Sequence, residues 1–195
     1  MLNPDYQNKA AFENAFGPSL RPAATDKAPL HIDWTETPYG PMLSVADDEA
    51  LYMLEFTARK NLGLQMHRLA KRTGRAISPG SSAVTRQINS ELGAYFKGDL
   101  SEFRTPVAMP GTPFQIKTWE ALQAIPAGET RSYKDLAKSV GSPKGFRAVA
   151  GANANNRLAI IVPCHRVISA NGGLGGYAGG LDKKRALLTL EGAAI

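Results

Sequence analysis

Cysteine is almost absent from this chain of 195 residues: Cys164 is the only one. An internal disulfide is therefore impossible, and so is a structural zinc site built on several cysteines. His31, His67 and His165 are the only histidines and lie too far apart to make a local metal motif, so no metal is expected. Long hydrophobic runs are missing as well. "LAIIVP" (158–163) is the longest, far too short to span a bilayer, and no membrane partner is expected. The opening "MLNPDYQNKA" lacks the apolar centre of a signal peptide, which points to the cytoplasm.

The last shortage is local. Residues 109–195 hold 11 Lys and Arg against 5 Asp and Glu, whereas residues 1–108 hold 12 of each. The whole net charge of +6 thus falls in the second part. A localised basic excess suits a phosphate-rich partner. A solvated lysine-rich surface would give the same count.

Residues 1–28 are rich in Ala, Pro and Asn and read as a loose N-terminal arm or linker, with Tyr6, Phe12 and Phe16 available to pin part of it. Residues 29–108 read as a small α/β domain. "LHIDW", "PMLSVAD" and "ALYMLEF" are strand-like and separated by turn residues, which predicts an antiparallel meander. Leu62, Met66 and Leu69 then recur at helical spacing, with Gly74 as a stop, and Val84, Ile88, Leu92 and Phe96 follow at steps of four.

"RTPVAMPG" (104–111) marks the boundary to a mostly helical domain, 109–195. Thr112, Pro113 and Gln115 make an N-cap, a first-turn proline and a capping-box partner for a helix with Ile116, Trp119, Leu122 and Ile125 on its apolar face. Ser132 caps "YKDLAKSV", Gly141 stops it, and Ser142–Pro143 begin another helix, "PKGFRAVAGANANN". Two short helices across a tight glycine turn predict a helix-turn-helix. Lys144 and Arg147 stand on the second, among Ala148, Ala150, Gly151 and Ala152. Such small residues suit close approach, either to a nucleic-acid groove or to a neighbouring helix. "LAIIV" (158–162) reads as a short strand ended by Pro163, and a glycine-rich loop follows the cysteine. Asp182 is the expected cap of a last helix that Gly192 ends.

A buried lone cysteine can be just a small hydrophobe. Cys164 also stands where the predicted strand gives way to a loop, beside His165, the usual partner for making a thiolate. In extended chain the two side chains would point to opposite sides. Contact then needs a bridging water or a turned backbone. The histidine needs an acid to fix its tautomer, and Glu191 is the acid of this domain best placed to point inward.

These residues resemble a known family. "TRSYKDLA" (130–137), "FRAVAGANANN" (146–156), "PCHRV" (163–167) and "GGYAGGL" (175–181) stand in the order and spacing of the O6-alkylguanine-DNA alkyltransferases, the C-terminal region of the bacterial Ada protein in particular. The strong likeness covers residues 111–192, and the region from about residue 30 agrees in layout.

The resemblance implies a ribonuclease H-like α/β domain, a winged-type helix-turn-helix, and repair of double-stranded DNA without a cofactor. An alkyl group would pass from O6 of guanine, and less readily O4 of thymine, to Cys164 in a single event. His165 would act as base through a water, Glu191 would orient it, and Asn156 would tie the helix-turn-helix to the active-site turn. Tyr133 would help to rotate the nucleotide out and contact the base. Arg147 would fill the vacated stack, while Lys144, Ala148, Gly151 and Ala152 would meet the minor groove. Backbone groups of Cys164, Val167 and residues 177–179 would contact the guanine. Tyr177, Ala178, Gly179 and Ala159 would line the pocket, the two alanines leaving room for larger adducts. A monomer is implied. Three alternatives make different predictions: a lesion-flagging relative would lack the cysteine, a sequence-reading regulator would not need it, and a cysteine hydrolase would turn over repeatedly.

Overall fold

The computed structural model describes residues 9–16 and 26–194. The chain forms two compact units, Met1–Pro110 and Gly111–Ile195.

The first unit begins with helix α1 (Lys9–Phe16), inside the stretch expected to be a loose arm. Phe12 explains the difference: only 3% exposed, it joins the apolar cluster of this unit, its ring 6.0 Å from that of Trp34. Tyr6 and the side chain of Phe16 lie outside the described residues. Strands β1 (Leu30–Thr35), β2 (Met42–Ala46) and β3 (Leu51–Phe56) form the expected antiparallel meander. Helix α2 (Leu62–Thr73) turns Leu62, Met66 and Leu69 into the cluster and ends at Gly74, in the left-handed region at φ 64°. Each such fully buried side chain contributes about 1.5–3 kcal/mol.

Strand β4 (Ile77–Pro79) then pairs parallel to β1, giving the sheet order β3-β2-β1-β4. The sheet is thus mixed rather than wholly antiparallel, which differs from the expected small antiparallel sheet. A parallel neighbour needs a crossover, and α2 provides it. Helix α3 (Ala83–Tyr95) starts from a Ser82/Thr85 capping box and buries Val84, Ile88 and Leu92. Phe96 falls one residue beyond the helix, half-buried, and Tyr95 takes the buried place instead.

The second unit opens with α4 (Pro113–Gln123), capped as expected by Thr112 with Gln115. Strand β5 (Arg131–Ser132) runs directly into α5 (Tyr133–Ser139), where the Ser132 hydroxyl accepts from the Asp135 N–H at 3.1 Å. Helix α6 (Phe146–Ala154) begins three residues later than expected, because residues 142–145 close a turn in which the Gly145 N–H donates to the Ser142 carbonyl at 2.7 Å. The Trp119 indole donates to the Ala152 carbonyl at 2.9 Å and so fastens α4 to α6.

Cys164–Arg166 form a 3₁₀ turn, followed by β6 (Val167–Ile168) and α7 (Leu181–Leu190). β6 pairs in parallel with β5, Arg131 opposite Val167 and Ser132 opposite Ile168. Asp182 lies in the first turn of α7 and is not its cap; Gly180, at φ 101°, holds that position. Among the described residues no helix is long and apolar enough to cross a membrane.

Candidate active site and nucleic-acid interface

The approach to Cys164 is not the strand its apolar letters suggest. Residues 158–162 form a turn. Asn156 holds it from inside: its Oδ1 accepts from the Leu158 N–H at 2.9 Å and its Nδ2 donates to the Val162 carbonyl at 2.8 Å. Ile160 sits at φ 72°, a strained conformation for a β-branched residue, costing about 1–3 kcal/mol. Burial of Leu158, Ala159, Ile160 and Val162 offsets that cost. Those apolar side chains read as a strand in sequence because they are buried. The side-chain hydrogen bonds that bend the backbone carry no periodic signal.

The turn delivers Cys164 at 7% exposure. Because residues 164–166 are 3₁₀, the extended geometry expected for Cys164 and His165 does not apply. His165 is fully buried, and its Nε2 lies 2.9 Å from Glu191 Oε1. Arg166 grips the same carboxylate with two bonds, Nε to Oε2 at 2.9 Å and Nη2 to Oε1 at 2.8 Å, and also donates to the Ile125 carbonyl. Burial alone would raise the Glu191 carboxyl, but the hydrogen bonds from His165 and Arg166 outweigh it and hold it at about 2. Burial pushes the His165 imidazole below its ordinary value, against the opposing pull of Glu191. The ring is thus neutral at neutral pH. An ionised carboxylate only accepts, so Nε2 carries the proton and Nδ1 the lone pair. That Nδ1 is buried and has no hydrogen-bond partner among the described residues. A base is held ready one residue from the thiol.

Tyr133, the first residue of α5, reaches the same place because the β5–β6 pairing sets the start of α5 beside the exit of the cysteine turn. Burial raises its phenol, a thiolate at Cys164 would raise it further, and a hydrogen bond with Asn153 partly opposes both, so the hydroxyl keeps its proton. Tyr177 is half-buried, its ring edge-on to His165 at 6.5 Å. Gly175 is confined by both conformation and space: at φ 66°, an added Cβ would lie 3.3 Å from the Tyr133 ring and 3.1 Å from Ser169 Oγ.

Three contributors were not anticipated. Arg166 fixes Glu191, and its signal was a charge inside an otherwise apolar run. Asn153 turns its amide toward the Cys164 carbonyl at 3.5 Å. Lys184 is fully buried, and its ammonium donates to the carbonyls of Val167 at 2.5 Å, of Leu174, and of Gly176 at 3.4 Å. Burial lowers this lysine to about 8, against the pull that a thiolate at Cys164 would exert, so it stays charged at neutral pH. It joins β6 to the glycine-rich loop and sets a cation near the sulfur. Its sequence neighbours Lys183 and Arg185 hid it. Of the two carbonyls expected to face a guanine, that of Cys164 already accepts from the Val167 N–H and faces the Asn153 amide, and that of Val167 accepts from the Lys184 ammonium.

On α6, Lys144 just before the helix and Arg147, Ala148 and Gly151 within it are exposed. Ala152 is not with them. It is buried, and its carbonyl accepts from the Trp119 indole of α4. Ala159 is buried within the turn and Gly179 is buried too, whereas Ala178 is exposed. Among the described residues no group of His, Cys, Asp or Glu side chains is placed to hold a metal ion.

A model of the family described as "6-O-methylguanine DNA methyltransferase, DNA binding domain" matches residues 113–193. A methylated-DNA–protein-cysteine methyltransferase of Methanosarcina acetivorans is 45% identical over 163 residues, 81% of this chain and 96% of that protein. One from Mycobacterium tuberculosis is 42% identical over 163 residues, covering 83% of this chain and 92% of its own. Among solved structures, the Mycobacterium tuberculosis OGT in complex with DNA superposes with a TM-score of 0.71 at 41% identity, over 83% of this chain and 92% of that one. The O6-methylguanine-DNA methyltransferase of Pyrococcus kodakaraensis gives a TM-score of 0.61 at 25% identity, over 84% and 99%.

Proposed function

Because the chain belongs to the methylated-DNA–protein-cysteine methyltransferase family, we propose that it repairs double-stranded DNA by moving an alkyl group from O6 of guanine onto Cys164, once per molecule. The observation that carries this reading is a buried His165 next in the chain to Cys164, held through Nε2 by Glu191 and left with an unpartnered Nδ1. His165 Nδ1 takes the thiol proton through a water. The thiolate attacks the alkyl carbon, a C–S bond forms as the C–O6 bond breaks, and the electron pair passes to the guanine. Tyr133, whose phenol keeps its proton, supplies that proton to the leaving base. Glu191 stabilises the imidazolium, and Lys184 favours the thiolate. A thioether has no easy route back to thiolate, so one chain performs one transfer and no cofactor takes part.

An alkyl group on O6 is buried in the duplex, so the base must be turned out first. Arg147, exposed on α6, fills the gap, while Lys144, Ala148 and Gly151 meet the minor groove. Tyr133 crowds the target phosphate, and Tyr177, Ala178 and the 177–179 backbone close the pocket. O4-alkylthymine, which carries its alkyl group on a similar oxygen, is a poorer substrate. The sheet order β3-β2-β1-β4 supports a ribonuclease H-like first domain, and α5 and α6 with the β5–β6 pair support a winged-type helix-turn-helix. All the site residues come from one unit of one chain, which suits a monomer in the cytoplasm.

Intact-mass measurement after mixing with a duplex containing O6-methylguanine tests the function. The chain is expected to gain one methylene, at Cys164, in at most equimolar amount. Repeated turnover, or no gain, would sink the reading. Arg147→Ala separates flipping from chemistry. It should slow transfer from duplex DNA roughly a hundredfold while leaving transfer from O6-benzylguanine free base nearly unchanged. Equal losses on both would remove the finger role.

A further inference from the structure

We infer that Phe146 works with Arg147 as a two-residue wedge, its ring packing against the sugar and base edge beside the vacated stack. The inference rests on the reading of α6 as the DNA-facing helix. Phe146 is 48% exposed, although a large apolar side chain on a helix is ordinarily turned to the core. The Arg147 guanidinium lies over its ring, 5.6 Å from the centroid. The pair occupies the first turn of α6. The exposed face continues through the small residues Ala148, Gly151 and Ala154, while Val149, Ala152 and Asn153 are buried behind it.

The ring's position on the helix matters as much as its exposure. Phe146 and Asn153 are seven residues apart and share one stripe of α6. Asn153 turns its amide toward the Cys164 carbonyl. Phe146 therefore stands on the edge of the exposed face nearer the cysteine, and Arg147 stands farther round. A flat apolar ring at that edge can stack on a base or sugar whatever the sequence, which a repair protein needs. The ring also restrains a long, otherwise mobile guanidinium above it, so less side-chain freedom is lost when Arg147 enters the stack.

Three variants test the proposal. Phe146→Ala should slow transfer from an O6-methylguanine duplex about tenfold, within the range of losing one base–aromatic contact. Transfer from O6-benzylguanine free base should stay within about twofold, because the thiol and its partners are untouched. Phe146→Leu should fall between. Phe146→Trp should keep most of the duplex rate, and the fluorescence of the introduced indole, above the background of Trp34 and Trp119 in the wild type, should change when the duplex is added. Equal losses on both substrates, or an indole signal from Phe146→Trp that is blind to DNA, would overturn the proposal. So would concentration-dependent self-association of the wild type that Phe146→Ala abolishes, since the ring would then serve a second copy. If Arg147→Ala shows no duplex-specific loss, the underlying reading of α6 has failed. If only Phe146→Ala shows none, the wedge alone has failed.

Discussion

Cys164→Ser is expected to abolish alkyl transfer, with a loss on the order of 10⁴-fold or more, while duplex binding persists. The substitution is small in volume, and the turn that presents it is held by Asn156 and by the burial of Leu158 and Val162 rather than by the sulfur. The chemistry, however, depends on ionisation. A neutral imidazole and a nearby ammonium can favour a thiolate, but a serine hydroxyl is far too weak an acid to respond in kind. The α6 residues proposed to face DNA are untouched, so affinity for an O6-methylguanine duplex should stay within a few-fold of wild type, with the same steep weakening by salt. Intact mass and a gel-shift titration read the two properties separately. A methylated Cys164→Ser chain would mean that another side chain is the acceptor.

Glu191→Ala should damage both chemistry and fold. Removing the carboxylate leaves the His165 Nε2–H and two Arg166 donors buried without their acceptor, an outcome that costs about 3–5 kcal/mol. The imidazolium formed during transfer also loses its counter-charge, and the rate should fall roughly 10²–10⁴-fold. Glu191→Gln keeps the volume and separates the effects through pH. Glu191 is held at about 2 against an ordinary 4.5. Its contribution is full above about pH 4.5 and is lost as the pH falls through that value toward 2. The shift corresponds to about 3 kcal/mol. His165, held below 6.5, acts in the same direction: as the pH drops under 6.5 the unfolded chain gains a proton that the folded chain resists. Urea midpoints of the wild type should therefore decline from about pH 6.5 downward. Glu191→Gln should start lower and lack the part of the decline between 4.5 and 2. Identical acid slopes in the two proteins would show that Glu191 is not the group responsible.

Features that are local in sequence could be read there. Thr112 with Gln115, Ser132 with Asp135, and the run Val84, Ile88, Leu92 each place a cap or a stripe through neighbours three or four residues apart, and each is found where expected. The thiol, the histidine and the acid carry their chemistry in their side chains, and Glu191 does meet His165. What escaped depends on partners distant in sequence. β4 is three residues long, and its pairing exists only because α2 returns the chain beside β1. "LAIIV" is bent by Asn156 against its own strand propensity. Phe12 could be named as an anchor of the first segment, but the helix that carries it could not, because Trp34 and the sheet bury it rather than any pattern around it. Lys184 looks like its charged neighbours until three carbonyls are found around its ammonium. Ala152 shares a composition with Ala148 and Gly151, but only the packing of Trp119 shows that it faces inward.

The short β5–β6 ladder decides what side-chain substitution can and cannot move around the cysteine turn. It links backbone to backbone, from Arg131 and Ser132 to Val167 and Ile168. The spacing between the tyrosine that starts α5 and the cysteine turn that ends at β6 is thereby fixed by main-chain bonds that side-chain substitution leaves intact. The glycine-rich loop comes up against the same tyrosine, and a single methyl at Gly175 would already press on the Tyr133 ring. Backbone pairing thus keeps the tyrosine and the cysteine turn together under side-chain substitution, while crowding at Gly175 limits what the loop can accept beside them.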